Sequence, residues 1–242
     1  MIKSSLSALA VGIALASGSV YAYETGDLIV RVGAASVDPR EDSEELQING
    51  QSLIDTVQGG FGLDVSPATA GVDGNTQLGL TITYMLSDDV GLELLAATPF
   101  THDITANLGQ VGVVKAGEVS HLPPTVTAQY YPMGKGSAFQ PYVGIGINYT
   151  TFFDEDVASE LDDVTTVLGL GKAQSLKLDD SFGLAFELGC DYAITDNLVL
   201  NASVWKADID TTATFKYAGG NKITTDVSID PMVYMLAVGY KL

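Results

Sequence analysis

The sequence is poor in cysteine, in positive charge and in long apolar runs, and each shortage removes a class of protein. One cysteine, Cys190, cannot build an internal disulfide framework. Eleven basic residues stand against 30 acidic ones, a net charge of −19. Nucleic acid is therefore not an expected partner, because its binding needs cationic patches. A peripheral protein held on anionic lipid by basic residues is excluded for the same reason. Past the N-terminus no stretch approaches the roughly 20 apolar residues of a spanning helix.

The N-terminus carries an export signal. Lys3 supplies a positive start, Leu6 to Ala16 is apolar apart from Ser7 and Gly12, and Val20-Tyr21-Ala22 offers a signal-peptidase site. Residues 1–22 are expected to be a cleaved signal peptide and residues 23–242 a single domain.

What the chain has in quantity is glycine, 26 residues, and period-two alternation. In Gln77–Leu86 the even positions Leu78, Leu80, Ile82, Tyr84 and Leu86 are apolar, and Gly79, Thr81 and Thr83 lie between them. Such spacing puts the two sets on opposite faces of a strand. The apolar face would pack on a second sheet in a soluble sandwich, or meet lipid in a membrane barrel. Seven further stretches alternate in the same way, beginning near Leu28, Val90, Thr125, Tyr142, Phe182, Leu198 and Met232.

The connections decide between the two. They run long, short, long, short, long, short, medium, the asymmetry of outer-membrane barrels with tight periplasmic turns and long external loops. Each apolar face is about 9 to 11 residues, enough for a tilted strand to cross a bilayer. Tyr84, Tyr130, Phe153, Phe182, Tyr192, Tyr234 and Tyr240 suit interfacial girdles. The predicted fold is all-β: a transmembrane, antiparallel, eight-stranded up-and-down β-barrel. Its surroundings would be outer-membrane lipid and lipopolysaccharide in a Gram-negative cell, with the chain a monomer.

Several strings are also recognisable. NTQLGLTITYM (75–85), GLELLAATPF (91–100), HLPPT (121–125), PYVGIGINYTTFFD (141–154), SVWKADIDTTA (203–213) and DPMVYMLAVGY (230–240) resemble the OmpW family of small outer-membrane barrels. The resemblance covers nearly the whole chain after the signal. It implies passage of small hydrophobic molecules inward across the outer membrane, and some relatives serve as colicin receptors. Two departures stand out. Asp38–Gly74 is longer and more acidic than the expected first loop, and the chain ends in Leu242 rather than an aromatic. Leu242 is in phase with Tyr240, so the barrel-assembly machinery would recognise the end more weakly.

With the branched faces on lipid, the opposite residues line the lumen. Arg31, Glu93, Glu187 and Asp191 fall in that set near the periplasmic side, where Arg31 with Glu93 or Glu187 would form a polar plug or a purely structural ion-pair network. Higher up the inward residues turn apolar: Leu95, Ala97, Trp205, Val233 and Met235, a pocket for a hydrophobic guest or simple lumen filler. The resemblance implies an apolar constriction at Leu95 and Trp205, and parity alone also puts both inside. Pro99, read as lying inside the third strand, and Pro123-Pro124, opening the fourth, predict missing ladder bonds and a lateral seam through which a guest could leave.

Other candidates are weaker. His102 and His121 lack further ligands, and the Asp154–Asp163 acidic run lacks a calcium-loop pattern, so neither metal nor cofactor is expected. Cys190 falls in the lipid-facing set. No nucleophile–base string such as GxSxG appears, so catalysis is not expected. Two readings remain: a channel-like protein for passive uptake of a small hydrophobic ligand, or a surface receptor whose loops bind a colicin, phage or adhesion partner without transport.

Overall fold

A computed structural model describes residues 23–133 and 136–242; the expected signal peptide lies outside them. Eight strands form the barrel: β1 (Leu28–Asp38), β2 (Asn75–Met85), β3 (Val90–Ala97), β4 (Thr125–Tyr130), β5 (Phe139–Val157), β6 (Ser181–Ala193), β7 (Leu198–Ala207) and β8 (Met232–Lys241). Each pairs antiparallel with its neighbours in sequence. β1 closes the ring on β8 in a register from Ile29↔Lys241 to Asp38↔Met232. No edge is left open, the condition for backbone polar groups to sit in lipid.

The alternation works inside out. On β2, Leu78 is 57% exposed and Tyr84 48%, whereas Thr81 and Thr83 are buried. A water-soluble sheet would hide the leucines; here they form the lipid-facing wall. Tyr130, Phe182, Tyr234 and Tyr240 are also exposed on that wall. Two of the short turns are closed by hydroxyls: Ser87 Oγ accepts from the Val90 amide at 3.1 Å, and Thr195 Oγ1 from the Leu198 amide at 3.0 Å. Among the described residues no helix is long and apolar enough to cross a membrane, which says nothing of strands.

The external segments depart from the sequence reading. The second long connection is the body of a hairpin, Phe100–Asn107 with Val113–Leu122, that carries the wall beyond the barrel. β5 is long enough to follow it, pairing from Thr151↔Leu122 to Val157↔Gly117. A second sheet joins Ala173–Leu178, Asp210–Tyr217 and Lys222–Ser228 to short strands of the first loop. Two helices, α1 (Leu53–Phe61) and α2 (Ser159–Val167), pack on this layer. Leu53, Leu161, Phe152, Phe215, Ile223 and Val227 belong to its continuous apolar core. The loops thus carry a core of their own above the lumen.

Pro99 also differs from expectation. β3 ends at Ala97, so Pro99 stands in the Thr98–Pro99 break before the hairpin rather than inside the strand. Proline has no amide hydrogen to continue a ladder, and the strand stops short of it. Pro123 and Pro124 occupy the facing break before β4.

Candidate functional site

The lumen has three levels. At the periplasmic level Arg31, on β1, is fully buried. Its Nη1 donates to Thr83 Oγ1 at 2.7 Å and Glu93 Oε2 at 3.2 Å, and its Nε donates to Asp191 Oδ1 at 3.0 Å. Nη2 donates to Tyr131 Oη at 3.2 Å and is also bonded to Asp191. Asp191 accepts further from Asn201 Nδ2 at 2.9 Å and Tyr23 Oη at 2.6 Å. Tyr142 lies under the guanidinium, 5.7 Å from its ring centre. That ring needs Gly189 on the neighbouring strand: a Cβ there would sit 2.4 Å from Tyr142 Cζ.

Arg31, Glu93 and Asp191 therefore come together as one network. Glu187 does not pair with Arg31, contrary to one sequence expectation; it accepts from Gln129 Nε2 at 2.9 Å. Strand parity sets which face a residue takes, but the stagger between strands sets its height, and that stagger brings Asp191 rather than Glu187 to the guanidinium. Arg31, Glu93, Asp191, Glu187, Gln129, Thr83 and Tyr131 thus make this level charged and polar.

The middle level is apolar. Leu95, Trp205, Val233 and Met235 are buried together with Ala35, Val37 and Phe100, and Ala97 packs against them half-buried. Trp205, on β7, stands across from Val233 on β8. A narrow chamber of about 20 Å³ runs among Leu95, Trp205, Val233, Phe100 and His121, and reaches Ala96, Ala97 and Pro123 in the wall. That is room for a water or so, not for an organic guest, so side chains must yield before one enters.

The wall beside the chamber is incompletely laddered. β3 and β4 pair from Val90↔Tyr130 up to Leu95↔Thr125, and pairing resumes only at Phe100↔His121. Between these points the backbone turns to other neighbours: the Thr98 amide donates to Leu78 O at 3.0 Å, and Pro124 O accepts from the Tyr149 amide at 3.1 Å. Pro99, Pro123 and Pro124 stand in this interval.

The upper level holds the two histidines for which the sequence places no further metal ligands. His102 and His121 face each other, Nε2 to Nε2 at 3.0 Å. His121 stacks on Phe152 at 5.9 Å and tilts against Phe100 at 5.5 Å. Burial pushes the His121 imidazole down to about 3, and its neighbour His102 pushes the same way; burial also lowers His102. Among the described residues no third metal-ligating side chain joins them. A second apolar chamber, about 30 Å³, lies above, lined by both histidines, Phe152, Ile104 and Ile229. A usable signal for this level existed: Phe100, His102, Ile104 and Ala106 alternate as a strand does.

Three comparisons bear on this architecture. A model of the OmpW family matches residues 24–242. Outer membrane protein W of Vibrio cholerae is 47% identical over 240 residues, covering 99% of both chains, and that of Escherichia coli K12 is 44% identical over 242 residues, covering 100% of both. The crystal structure of the outer membrane protein OprG from Pseudomonas aeruginosa superposes with a TM-score of 0.78 at 44% identity, covering 91% of this chain and 97% of that one.

Proposed function

This chain belongs to the OmpW family and sits as a closed barrel in the outer membrane, and from that premise we propose that it passes small hydrophobic molecules from outside into the bilayer through its wall. The observation that carries the reading is the coincidence in height of the apolar chamber and the ladder gap between β3 and β4. Below the chamber, the Arg31 network is a barrier to an apolar guest, which cannot replace the hydrogen bonds it would break. Leaving sideways exchanges one apolar surrounding for another. Pro99, Pro123 and Pro124 keep that exit free of the amide donors that would otherwise lace the strands together. Leu95, Trp205, Val233, Met235 and Ala97 are the surface a guest touches.

The test is uptake of an apolar fluorescent probe into liposomes carrying the barrel. Leu95→Arg and Trp205→Arg each put a charge into the chamber, and uptake should fall to the protein-free rate while the barrel still folds. Unchanged uptake in both variants would refute the reading.

A receptor reading draws on a different observation, the external layer with its own apolar core, which packs the loops against one another. Replacing Asp210–Ser228 by a short turn separates the two. Uptake that survives while ligand or phage adsorption disappears would assign the loops a role of their own.

A further inference from the structure

Two nitrogens on the chamber wall are buried and have no hydrogen-bond partner among the described residues, Trp205 Nε1 and His121 Nδ1, whereas the other polar side chains of the lining, Thr125 and Asn148, bond to each other at 2.9 Å. Their chemical roles are fixed. An indole nitrogen only donates. The role of His121 follows from a chain of protons that begins outside the chamber. His102 Nδ1 lies 2.6 Å from the Asp73 carbonyl oxygen, which only accepts, so that Nδ1 bears the hydrogen. Neutral His102 then has a lone pair at Nε2. His121 Nε2, 3.0 Å away, must donate to it, because two lone pairs would repel. Neutral His121 is left with a bare lone pair at Nδ1. Its depressed pKa of about 3, due first to burial and then to His102, keeps it neutral at any ordinary pH.

The chamber therefore offers one unpaired donor and one unpaired acceptor. Buried polar groups without partners are rare and costly, and they recur where a ligand supplies the missing bond. A hydrocarbon satisfies neither nitrogen. A ketone or an ether accepts from Trp205 but gives nothing to His121. A hydroxyl carries both complements, a donor for His121 Nδ1 and an acceptor for Trp205 Nε1. We propose that this chamber selects small apolar molecules bearing one hydroxyl group, alcohols or phenols, over hydrocarbons of the same shape. The proposal rests on the uptake reading and names its preferred cargo.

Trp205 is the chain's sole tryptophan, so its emission reports on the chamber directly. The barrel in lipid nanodiscs would be titrated with cyclohexanol, methylcyclohexane and methoxycyclohexane, each at a known concentration in the membrane. These have similar shapes and offer, in turn, a donor with an acceptor, neither, and an acceptor alone. Cyclohexanol should red-shift the emission and bind about tenfold more tightly than methylcyclohexane, the usual worth of a hydrogen bond to an otherwise unsatisfied group. The ether should fall between them. His121→Phe, which keeps the aromatic stack, should bring cyclohexanol down to the level of the ether.

Equal binding of cyclohexanol and methylcyclohexane, with both still carried into liposomes, overturns the hydroxyl preference alone. So does a preference undiminished in the His121→Phe variant. Should that variant fail to fold, the ether comparison in the unaltered protein decides by itself: an ether as tight as the alcohol removes His121 from recognition and refutes the proposal. If none of the three compounds binds or is carried, the uptake reading falls and this inference falls with it.

Discussion

Acidification should loosen the top of the barrel before the rest, and the histidine pair sets the amount. His121 is held at about 3 in the folded protein against 6.5 for a free imidazole. A histidine whose folded pKa is depressed binds its proton better when the structure opens. Its contribution is therefore complete above about 6.5 and is lost as pH falls from there toward 3. At pH 5 the opened state has gained about 1.5 units of protonation free energy, roughly 2 kcal/mol at 1.36 kcal/mol per unit. Converted to an equilibrium, that is about a thirtyfold rise in the population of the opened hairpin. Asp73, whose carboxylate lies 3.8 Å from His102 Nδ1, partly resists the same effect at His102, leaving His121 the dominant group. Native-state hydrogen exchange of the Val113–Leu122 amides, corrected for intrinsic rates, should lose about thirtyfold of its protection between pH 7.5 and 5. Amides in the middle of β7 should hold theirs. His121→Phe should remove most of the pH dependence, leaving the smaller contribution of His102. An unchanged slope in that variant, or a flat profile in the unaltered protein, would refute the reasoning.

Three further predictions follow from the wall and the plug. Arg31→Met removes the cation from Glu93 and Asp191 while leaving both carboxylates buried, and should cost about 3–5 kcal/mol in denaturant unfolding. Gly189→Val drives a branched side chain into the space of Tyr142 and should cost about 1–3 kcal/mol by the same measurement. Pro99→Ala with Pro124→Ala restores two amide donors at the gap. New slowly exchanging amides at 99 and 124, with slower probe uptake, are expected; faster uptake would argue against a lateral exit.

The barrel was legible because a membrane leaves a residue few options. Along Gln77–Leu86 every second side chain had to suit lipid, and that parity alone put Arg31, Leu95, Trp205 and Asp191 inside. Height was not legible. Nothing in the spacing says that Asp191 rather than Glu187 meets Arg31, because stagger accumulates around the ring through turn lengths and strand tilt. Nor does parity reveal that Tyr23, ahead of the first strand, reaches Asp191. The external layer was missed for a chemical reason. In Phe100–Asn107 and Asp210–Tyr217 the inward positions include histidine and threonine, and the outward ones face water, so the alternation lacks the contrast that lipid imposes. The contact between the two histidines was not legible either, since it depends on the hairpin register that sets His102 beside His121.

The place of Arg31 on the first strand bears on how the molecule completes itself. Glu93 and Thr83 come from the strands that follow it directly, and an unfinished sheet can already supply them. Asp191 comes from β6, which reaches Arg31 from the other direction, through β7 and β8. The guanidinium gains that second carboxylate only when the two ends of the chain meet. An open sheet would hold an aspartate without its cation and an under-coordinated guanidinium, so the ion network rewards the last ladder as well as the first. Arg31 acts as a latch, engaged by closure, that ties the chemistry of the lumen to the topological event that makes a lumen at all.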